Sequence, residues 1–225
     1  MDFGASRSVR FSRGSIMPQL TLYYAPGASS MATHIALHET GAPFALHLVD
    51  LSRQENRRPE YLAVNPEGKV PTLIIDGGDK LTEVAATLWF LARHYPAAGL
   101  LPQFGDITGE ARVVSWMSFI ASAIQPALQL ARRGQLEGAP RSADDPCKEV
   151  FRLADTRLGG SDWAVGRYSI ADIHLFRLFW RFADSLNPAV GDYPNLSAHC
   201  DRMMARDAVK KTIAAESTVG DYPRH

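Results

Sequence analysis

The sequence predicts an α/β domain followed by an all-helical domain. Strand-like alternation of apolar and polar residues occurs only in the first part of the chain, and beyond Phe104 the apolar residues recur at helical spacing. A segment rich in proline and glycine, Pro96 to Gln103, separates the two patterns. We therefore expect domains at residues 17–96 and 104–216, a disordered extension at 1–16 and a tail at 217–225.

Composition limits the kinds of partner. The chain has 225 residues, 46% of them hydrophobic, which is enough for a sizeable core. Its 24 basic and 24 acidic side chains cancel, which argues against nucleic acid or an anionic membrane surface as the main partner. No uninterrupted apolar run approaches the roughly 20 residues of a membrane span. Two cysteines and the lack of an apolar signal segment at residues 1–16 predict a cytoplasmic protein.

The rest of the first domain is organised around its first strand and first helix. Leu20 to Tyr24 alternate in the strand period, and Pro26-Gly27 breaks the strand. Ser29 and Ser30 then stand where a helix begins, and Gly41 supplies its end. The first amides of a helix lack intrahelical partners and carry the positive end of its dipole. Ser29 is therefore expected where an anion would be held.

The rest of the first domain is read from the same periods and from turn residues. Its elements are a strand at Phe44–Asp50, a short helix at Tyr61–Asn65, a turn at Asn65–Gly68, a hairpin of Thr72–Asp76 with Lys80–Thr82 around Gly77-Gly78, and a helix at Glu83–His94. A proline is tolerated only where a strand does not need that amide. Pro71 therefore marks the start of its strand, and Val70-Pro71 is a candidate cis bond.

The second domain is predicted from helix start and stop signals. The first predicted helix runs from Asp106 or Thr108 to Gly134 with a bend at Pro126. After a loop at Gly138–Asp144, three further helices begin at Asp145-Pro146, at Ser169 and at Tyr193-Pro194. A last short helix covers Asp207–Ile213. The first of these carries Ala111, Val114, Ser118, Ala121 and Ile124 on one side. Ser169 to Asp172 has capping-box spacing, and we assign these two residues to folding. The helix that follows is so apolar that we expect it at the domain centre.

Several motifs in this order resemble the cytosolic glutathione transferases, most closely the bacterial beta class. They are Tyr23-Tyr24-Ala25-Pro26-Gly27-Ala28-Ser29-Ser30 with His34-Ile35-Ala36-Leu37, Asn65-Pro66-Glu67-Gly68-Lys69-Val70-Pro71, Leu81-Thr82-Glu83 and Ser169-Ile170-Ala171-Asp172. The resemblance covers roughly residues 18–216. It implies a thioredoxin-like N-terminal domain that binds glutathione as co-substrate, and a helical C-terminal domain that receives a hydrophobic small molecule. It also implies a homodimer, a role in detoxification and no metal.

Site residues follow from the resemblance position by position. The family's backbone contact to the cysteinyl group of glutathione falls on Val70, next to the family's cis-proline at Pro71. The acidic side chain that binds the γ-glutamyl ammonium falls on Glu83, and its neighbour Val84 belongs to the same binding set.

Two positions depart from the beta class. Ser29 stands where that class usually has a cysteine, and Gln125 where it often has a histidine. A mixed disulfide at residue 29 is thus excluded, and the resemblance leaves serine-type chemistry, in which a hydroxyl stabilises the glutathione thiolate.

A hydrogen bond and a helix N-terminus can supply the free energy that this stabilisation of the thiolate requires. Lowering a thiol pKa from about 8.5 to about 6.5 requires roughly 2.7 kcal/mol of preference for the thiolate. A hydrogen bond to a charged acceptor supplies about 1.5 to 3 kcal/mol, and a helix N-terminus about 0.3 to 2.

Other interpretations remain open at this point. Ser29 could only cap its helix, and Tyr24 could be packing, a substrate wall or a partner of the thiolate. Glu83 could serve only the helix dipole. His34 and His38 could both reach a metal, although no third ligand stands at a useful spacing. The whole chain could be a non-catalytic member of the fold that binds glutathione or a protein, or a glutathione-dependent isomerase, dehalogenase or reductase.

Overall fold

The computed structural model describes residues 19–136, 146–186 and 191–219. The predicted extension at residues 1–16, the loop at Gly138–Asp144 and the cap residue Asp145 lie outside these ranges.

The N-terminal domain is a four-stranded sheet with helices packed against it. Its elements are β1 Leu20–Tyr24, α1 Ser30–Thr40, β2 Phe44–Leu48, α2 Pro59–Leu62, β3 Thr72–Ile75, β4 Asp79–Thr82 and α3 Val84–His94, with a 3₁₀ turn at Glu55–Arg57. The strand order is β2-β1-β3-β4. β1 pairs parallel with β2, which requires the crossover through α1, whereas β3 is antiparallel to both β1 and β4.

The core of this domain lies between the sheet and two helices. Leu22 pairs with Leu73 across β1 and β3, and both side chains are fully buried. Helices α1 and α3 pack on each other and bury their apolar residues, including Ile35 and Leu88. Gly41 ends α1 at φ 66°, as predicted, because glycine adopts this left-handed conformation without a Cβ penalty.

The segment between the domains is packed rather than a free linker. It contains a short 3₁₀ turn at Pro96–Ala98, after which Leu100 and Leu101 are 0% and 7% exposed. The Ile170 amide donates to the Leu100 carbonyl at 3.0 Å. Proline and glycine mark an irregular backbone, but the two leucines anchor that backbone in the core that the domains share.

The described part of the C-terminal domain consists of helices and the loops that join them. Its helices are α4 Ile107–Phe119, α5 Gln125–Leu136, α6 Pro146–Leu158, α7 Ile170–Leu186, α8 Pro194–Met204 and α9 Asp207–Glu216. Helix α7 packs against α1, α3, α4, α5 and α8, so its predicted central position is confirmed. Within the described ranges, only the stretch Ile107–Ala131 is long and apolar enough to span a membrane. In the structure this stretch spans α4 to α5 and packs on α7.

The long helix is irregular next to Pro126, where the sequence predicts a bend. A π-helical turn at Ile120–Ile124 precedes that proline, which has no amide to donate and displaces the preceding turn. The prediction that Gly134 ends the helix was wrong, because α5 continues to Leu136.

The buried side of the long helix also differs from the predicted one. Ala111, Val114, Ser118 and Ala121 are exposed, and the buried side comprises Val113, Trp116, Met117, Ile120 and Ile124. Both sides are largely apolar in sequence, so contact with α7 decides which one is buried.

The capping box at the start of α7 forms with one difference from the prediction. Asp172 Oδ2 accepts from the Ser169 amide at 2.8 Å, but the Ser169 hydroxyl accepts from the Ala171 amide at 3.3 Å rather than from the amide of Asp172. The buried Asp172 carboxylate also accepts from the Ala164 amide at 2.7 Å and lies 3.1 Å from His199 Nε2. The cap thus also holds the preceding loop and helix α8.

Candidate active site

A cavity of about 270 Å³ lies between the two domains. Five of the predicted site residues line it, and they are Ser29, Val70, Pro71, Glu83 and Val84. The opposite wall comes from the helical domain and includes Ala121, Gln125, Pro126, Gln129 and His174. The fold therefore brings the dispersed N-terminal motifs to one site and places helical side chains opposite them.

The hydroxyl of Ser29 does not cap its helix. Ser29 already has helical dihedral angles, φ −58° and ψ −26°, and its side chain makes no capping hydrogen bond. The local role belongs to its neighbour, because the Ser30 hydroxyl accepts from the Ala25 amide at 3.1 Å and donates to the Ala25 carbonyl at 3.2 Å. The interpretation of Ser29 as a helix cap is thus wrong.

Two charged residues of the helical domain hold the turn before Ser29. Arg177 on α7 donates to the carbonyls of Gly27 and Ala28, both at 3.0 Å. Glu216 at the end of α9 accepts from the Gly27 amide at 2.8 Å, and its other oxygen lies 2.9 Å from His34 Nδ1. Arg177 and Glu216 are 3% and 0% exposed. We call Arg177 and Glu216 the interdomain clamp.

The clamp determines the direction of the backbone at the site. The Ala28 carbonyl and the Ser29 amide belong to one planar peptide, so a fixed carbonyl directs the amide to the opposite side. The guanidinium of Arg177 and the carboxylate of Glu216 place buried charges of both signs at this turn. Sequence reasoning missed both clamp residues. Arg177 had one visible signal, since it is a charged residue within the apolar run of α7.

Side chains of the preceding segment fix the backbone next to Val70 by hydrogen bonds. Asn65 Nδ2 and the Tyr61 hydroxyl both donate to the Lys69 carbonyl, at 2.8 and 2.5 Å. The Val70–Pro71 bond is cis, as predicted. The main chain of Val70 therefore meets the cavity in a conformation supported by buried polar side chains.

Glu83 lies at the start of α3 in an unusual conformation. Its φ is +65°, a value that non-glycine residues rarely adopt outside functional or strained positions. Its carboxylate is exposed, and the first turn of α3 contains no acidic residue. Val84 has a buried apolar side chain, so the polar groups that this residue can offer a ligand are those of its backbone. This end of α3 thus combines one carboxylate with open helix amides.

Lys69 is a charged cavity residue to which the sequence analysis gave no role. Its ammonium donates to Glu67 at 2.7 Å, and this hydrogen bond, together with the charges of Glu67 and Glu83, raises its pKa above the ordinary value. The cavity therefore offers separate acidic and basic groups along one rim.

Tyr24 is in a different environment from the other predicted site residues. Its side chain is 5% exposed, contacts the edge of His34 and does not line the cavity. Burial and then the charge of Glu216 raise its pKa, so the phenol is neutral at pH 7.

The histidine pair on α1 serves the fold in this structure. His34 contacts Glu216, and burial, His34 and Lys211 lower the pKa of His38 to about 4. No group of three or more His, Cys, Asp or Glu side chains within the described ranges is arranged to hold a metal.

His174 is a further residue that sequence reasoning missed. It lies on α7, lines the cavity and is 4% exposed. Burial and then the charge of Arg177 lower its pKa to about 3, so the ring is neutral at pH 7. Its Nδ1 atom is buried and has no hydrogen-bond partner among the described residues.

Comparison with known proteins agrees with this architecture. Residues 28–94 match the family "Glutathione S-transferase, N-terminal domain", and residues 119–207 match "Glutathione S-transferase, C-terminal domain". Over 201 residues the chain is 32% identical to glutathione S-transferase GstA of Escherichia coli O157:H7, covering 88% of this chain and 98% of that protein. The chain belongs to the glutathione S-transferase family.

Solved structures of the family extend the comparison to three dimensions. A sphingomonad glutathione S-transferase complexed with glutathione is 34% identical, with a TM-score of 0.74 over 88% of this chain and 98% of that one. The bacterial beta class enzyme of Sphingomonas chungbukensis is also 34% identical, with a TM-score of 0.74 over 88% and 100% of the two chains. The predicted thioredoxin-like domain, helical domain and beta-class likeness are thus confirmed.

Proposed function

We propose that the protein is a transferase that binds glutathione in the interdomain cavity and activates it as a thiolate for attack on a hydrophobic electrophile. The observation that carries this proposal is that one cavity brings Ser29, Val70 and Glu83 together opposite the helical wall. The similarity to a family structure complexed with glutathione supports it.

The charges of the cavity match those of glutathione, which has one ammonium and two carboxylates. Glu83 would take the γ-glutamyl ammonium, and the α3 amides at Val84 would take the adjacent carboxylate. The main chain of Val70 would pair with the cysteinyl residue, and Lys69 lies on the same rim for the glycyl carboxylate.

Ser29 is our candidate for stabilising the thiolate. Ser29 lines the cavity and its hydroxyl is not used as a helix cap, whereas Tyr24 does not line the cavity. One charge-assisted hydrogen bond of about 1.5 to 3 kcal/mol, with a helix N-terminus, covers the roughly 2.7 kcal/mol needed for a two-unit decrease in pKa. The protein would then act by lowering the thiol pKa and by holding the two substrates together, without a covalent enzyme intermediate.

Substitution of Ser29 tests this proposal. We expect Ser29→Ala to raise the pKa of bound glutathione by about one to two units, as measured by ultraviolet titration, with little change in glutathione affinity. Ser29→Cys should instead form a mixed disulfide with oxidised glutathione, seen as a mass increase that a reductant reverses. An unchanged pKa in Ser29→Ala would remove the hydroxyl from the mechanism. A thiol pKa near the free value in the wild type, without turnover of an activated aryl halide, would favour the non-catalytic alternative.

We also propose a homodimer. Large apolar side chains near the start of α4 support it, since Phe104 and Ile107 are 87% and 80% exposed. Sedimentation at micromolar concentration should give about twice the 24.7 kDa of one chain, and a monomer at that concentration would contradict the proposal.

A cytoplasmic location is the third part of the proposal. The chain has two cysteines, and Cys200 is a free thiol. Free thiols fit a reducing compartment.

A further inference from the structure

The helical domain contributes a hydrogen-bonding group of its own to the cavity. Resting on the function proposed above, we propose that His174 is a second hydrogen-bond donor to the sulfur of glutathione, acting as a neutral imidazole alongside Ser29.

His174 lies close to the turn that carries Ser29. It lines the same cavity as Ser29, and its helix α7 packs directly on α1. It precedes Arg177 by three residues and therefore lies on the same face of α7, next to the group that holds the carbonyls of Gly27 and Ala28. The imidazole thus lies on the helical wall of the cavity, across from Ser29, and the sulfur of a bound glutathione would lie between the two side chains.

The state of the ring nitrogens identifies the donor. Nδ1 is closed off from solvent and has no hydrogen-bond partner within the described part of the chain. An orphaned buried N–H group is rarer than an under-satisfied acceptor, so the proton belongs on Nε2. Nε2 is not closed off in this way, and the ring faces the cavity. The Nε2–H group is therefore available to a ligand.

The surroundings of the ring favour a neutral donor over a proton-transfer group. Burial and the charge of Arg177 hold the pKa of His174 near 3, so the ring carries no charge at neutral pH. A neutral N–H donor stabilises a thiolate more than a thiol, because a hydrogen bond to a charged acceptor is stronger than one to a neutral acceptor.

Three variants separate the donor from the volume of the side chain. His174→Gln places an amide N–H near the position of Nε2, His174→Asn places one nearer Nδ1, and His174→Leu removes it. We expect ultraviolet titration to show a thiol pKa in the Leu and Asn variants about one unit above that of the wild type, equivalent to tenfold less thiolate well below that pKa. The Gln variant should remain within about half a unit of the wild type.

A ligand without a thiol separates the failure of this inference from the failure of the proposed function. S-Methylglutathione should bind the wild type and all three variants with the same calorimetric affinity. If the wild type binds neither glutathione nor S-methylglutathione, the proposed function fails. If all four proteins bind and the Leu and Asn variants keep the wild-type thiol pKa, or the Gln variant loses as much as the Leu variant, His174 is not the donor.

The Leu and Asn variants, which both lack a donor at the Nε2 position, also protect the test against a folding defect. Thermal unfolding identifies which of them is folded, and the polar Asn variant provides the measurement if leucine disturbs the packing beside Arg177. In the double variant Ser29→Ala with His174→Leu, the thiol pKa should exceed that of either single variant, because the two donors act from opposite walls.

Discussion

The two domains contribute to the site in different ways. The N-terminal domain supplies groups that are open to a ligand, such as the exposed Glu83 carboxylate and the main chain at Val70. The helical domain supplies buried charged and polar groups, since Arg177, Glu216 and His174 are 3%, 0% and 4% exposed. The first set is suited to binding. In the second set, Arg177 and Glu216 fix the position of the turn that carries Ser29, and His174 lines the cavity.

Burial explains this difference. A charge removed from water is costly unless it is paired and hydrogen-bonded, so a buried charge persists where its partners are fixed. The clamp meets this condition through bonds of 2.8 to 3.0 Å to the backbone of Gly27 and Ala28. An exposed carboxylate such as Glu83 has little desolvation cost in the protein without ligand. We therefore expect substitutions in the clamp to reduce stability, and substitutions at the rim to reduce binding.

The largest effect is expected for Glu216→Ala. Loss of this carboxylate leaves the Gly27 amide and His34 without their buried partner, which should lower the free energy of unfolding by about 3 to 5 kcal/mol. Denaturant unfolding measures the change. Glu149→Ala is the control, because Glu149 pairs with Arg152 on the surface and should contribute less than about 1 kcal/mol. Equal losses in the two variants would contradict the difference between the domains.

The next largest effect is expected in the pH dependence of stability, through His174. The folded pKa of His174 is about 3, below the ordinary value of 6.5, so the unfolded chain binds more protons between these values. The contribution of His174 to stability is complete above about pH 6.5 and decreases as the pH falls, by roughly 2 kcal/mol between pH 7 and pH 5.

Comparison with His174→Gln isolates this contribution from that of the carboxylates. Unfolding measured at both pH values should show a smaller loss in the variant, by about the same 2 kcal/mol. Parallel losses would show that His174 is accessible to protons in the folded protein.

A smaller effect, on binding alone, is expected for Glu83→Gln. The substitution keeps the volume and removes the charge that we propose pairs with the γ-glutamyl ammonium, which should weaken glutathione binding by about 1.5 to 3 kcal/mol in calorimetric titration. Stability should change by less than about 0.5 kcal/mol, because the carboxylate is exposed. Glu60→Gln, at another exposed glutamate of this domain, should leave the affinity unchanged. Equal affinities of wild type and Glu83→Gln would remove Glu83 from the site.

The smallest effect is expected for Lys69→Met. The Lys69 side chain is 66% exposed and already shares its charge with Glu67, so its loss should weaken glutathione binding by only about 0.3 to 1 kcal/mol. The difference should shrink further in high salt, because exposed charges are screened. A loss as large as that of Glu83→Gln would mean that the rim closes around the ligand more than the free structure shows.

Local signals in the sequence determined much of the first domain and its site. The turn at Pro26-Gly27, the cis bond at Val70–Pro71 and the end of α1 at Gly41 follow from the conformations that proline and glycine permit. The capping box at Ser169 and the apolar run after it likewise predicted the central helix of the second domain. These features depend on residues close together in sequence, and so one stretch of chain is sufficient to predict them.

Contacts between distant segments decided what the sequence could not. The buried side of α4 depends on its packing against α7, because more than one side of the helix is apolar. The clamp joins Gly27 to residues 150 and 189 positions away, and no local pattern indicates either pair. The turn that carries Ser29 is held partly by the local Ser30 hydroxyl and partly by this distant clamp, so the Ser29 hydroxyl is not needed as a cap. Hydrogen bonds of buried charged groups depend on the positions of distant partners, and only the tertiary structure determines those positions.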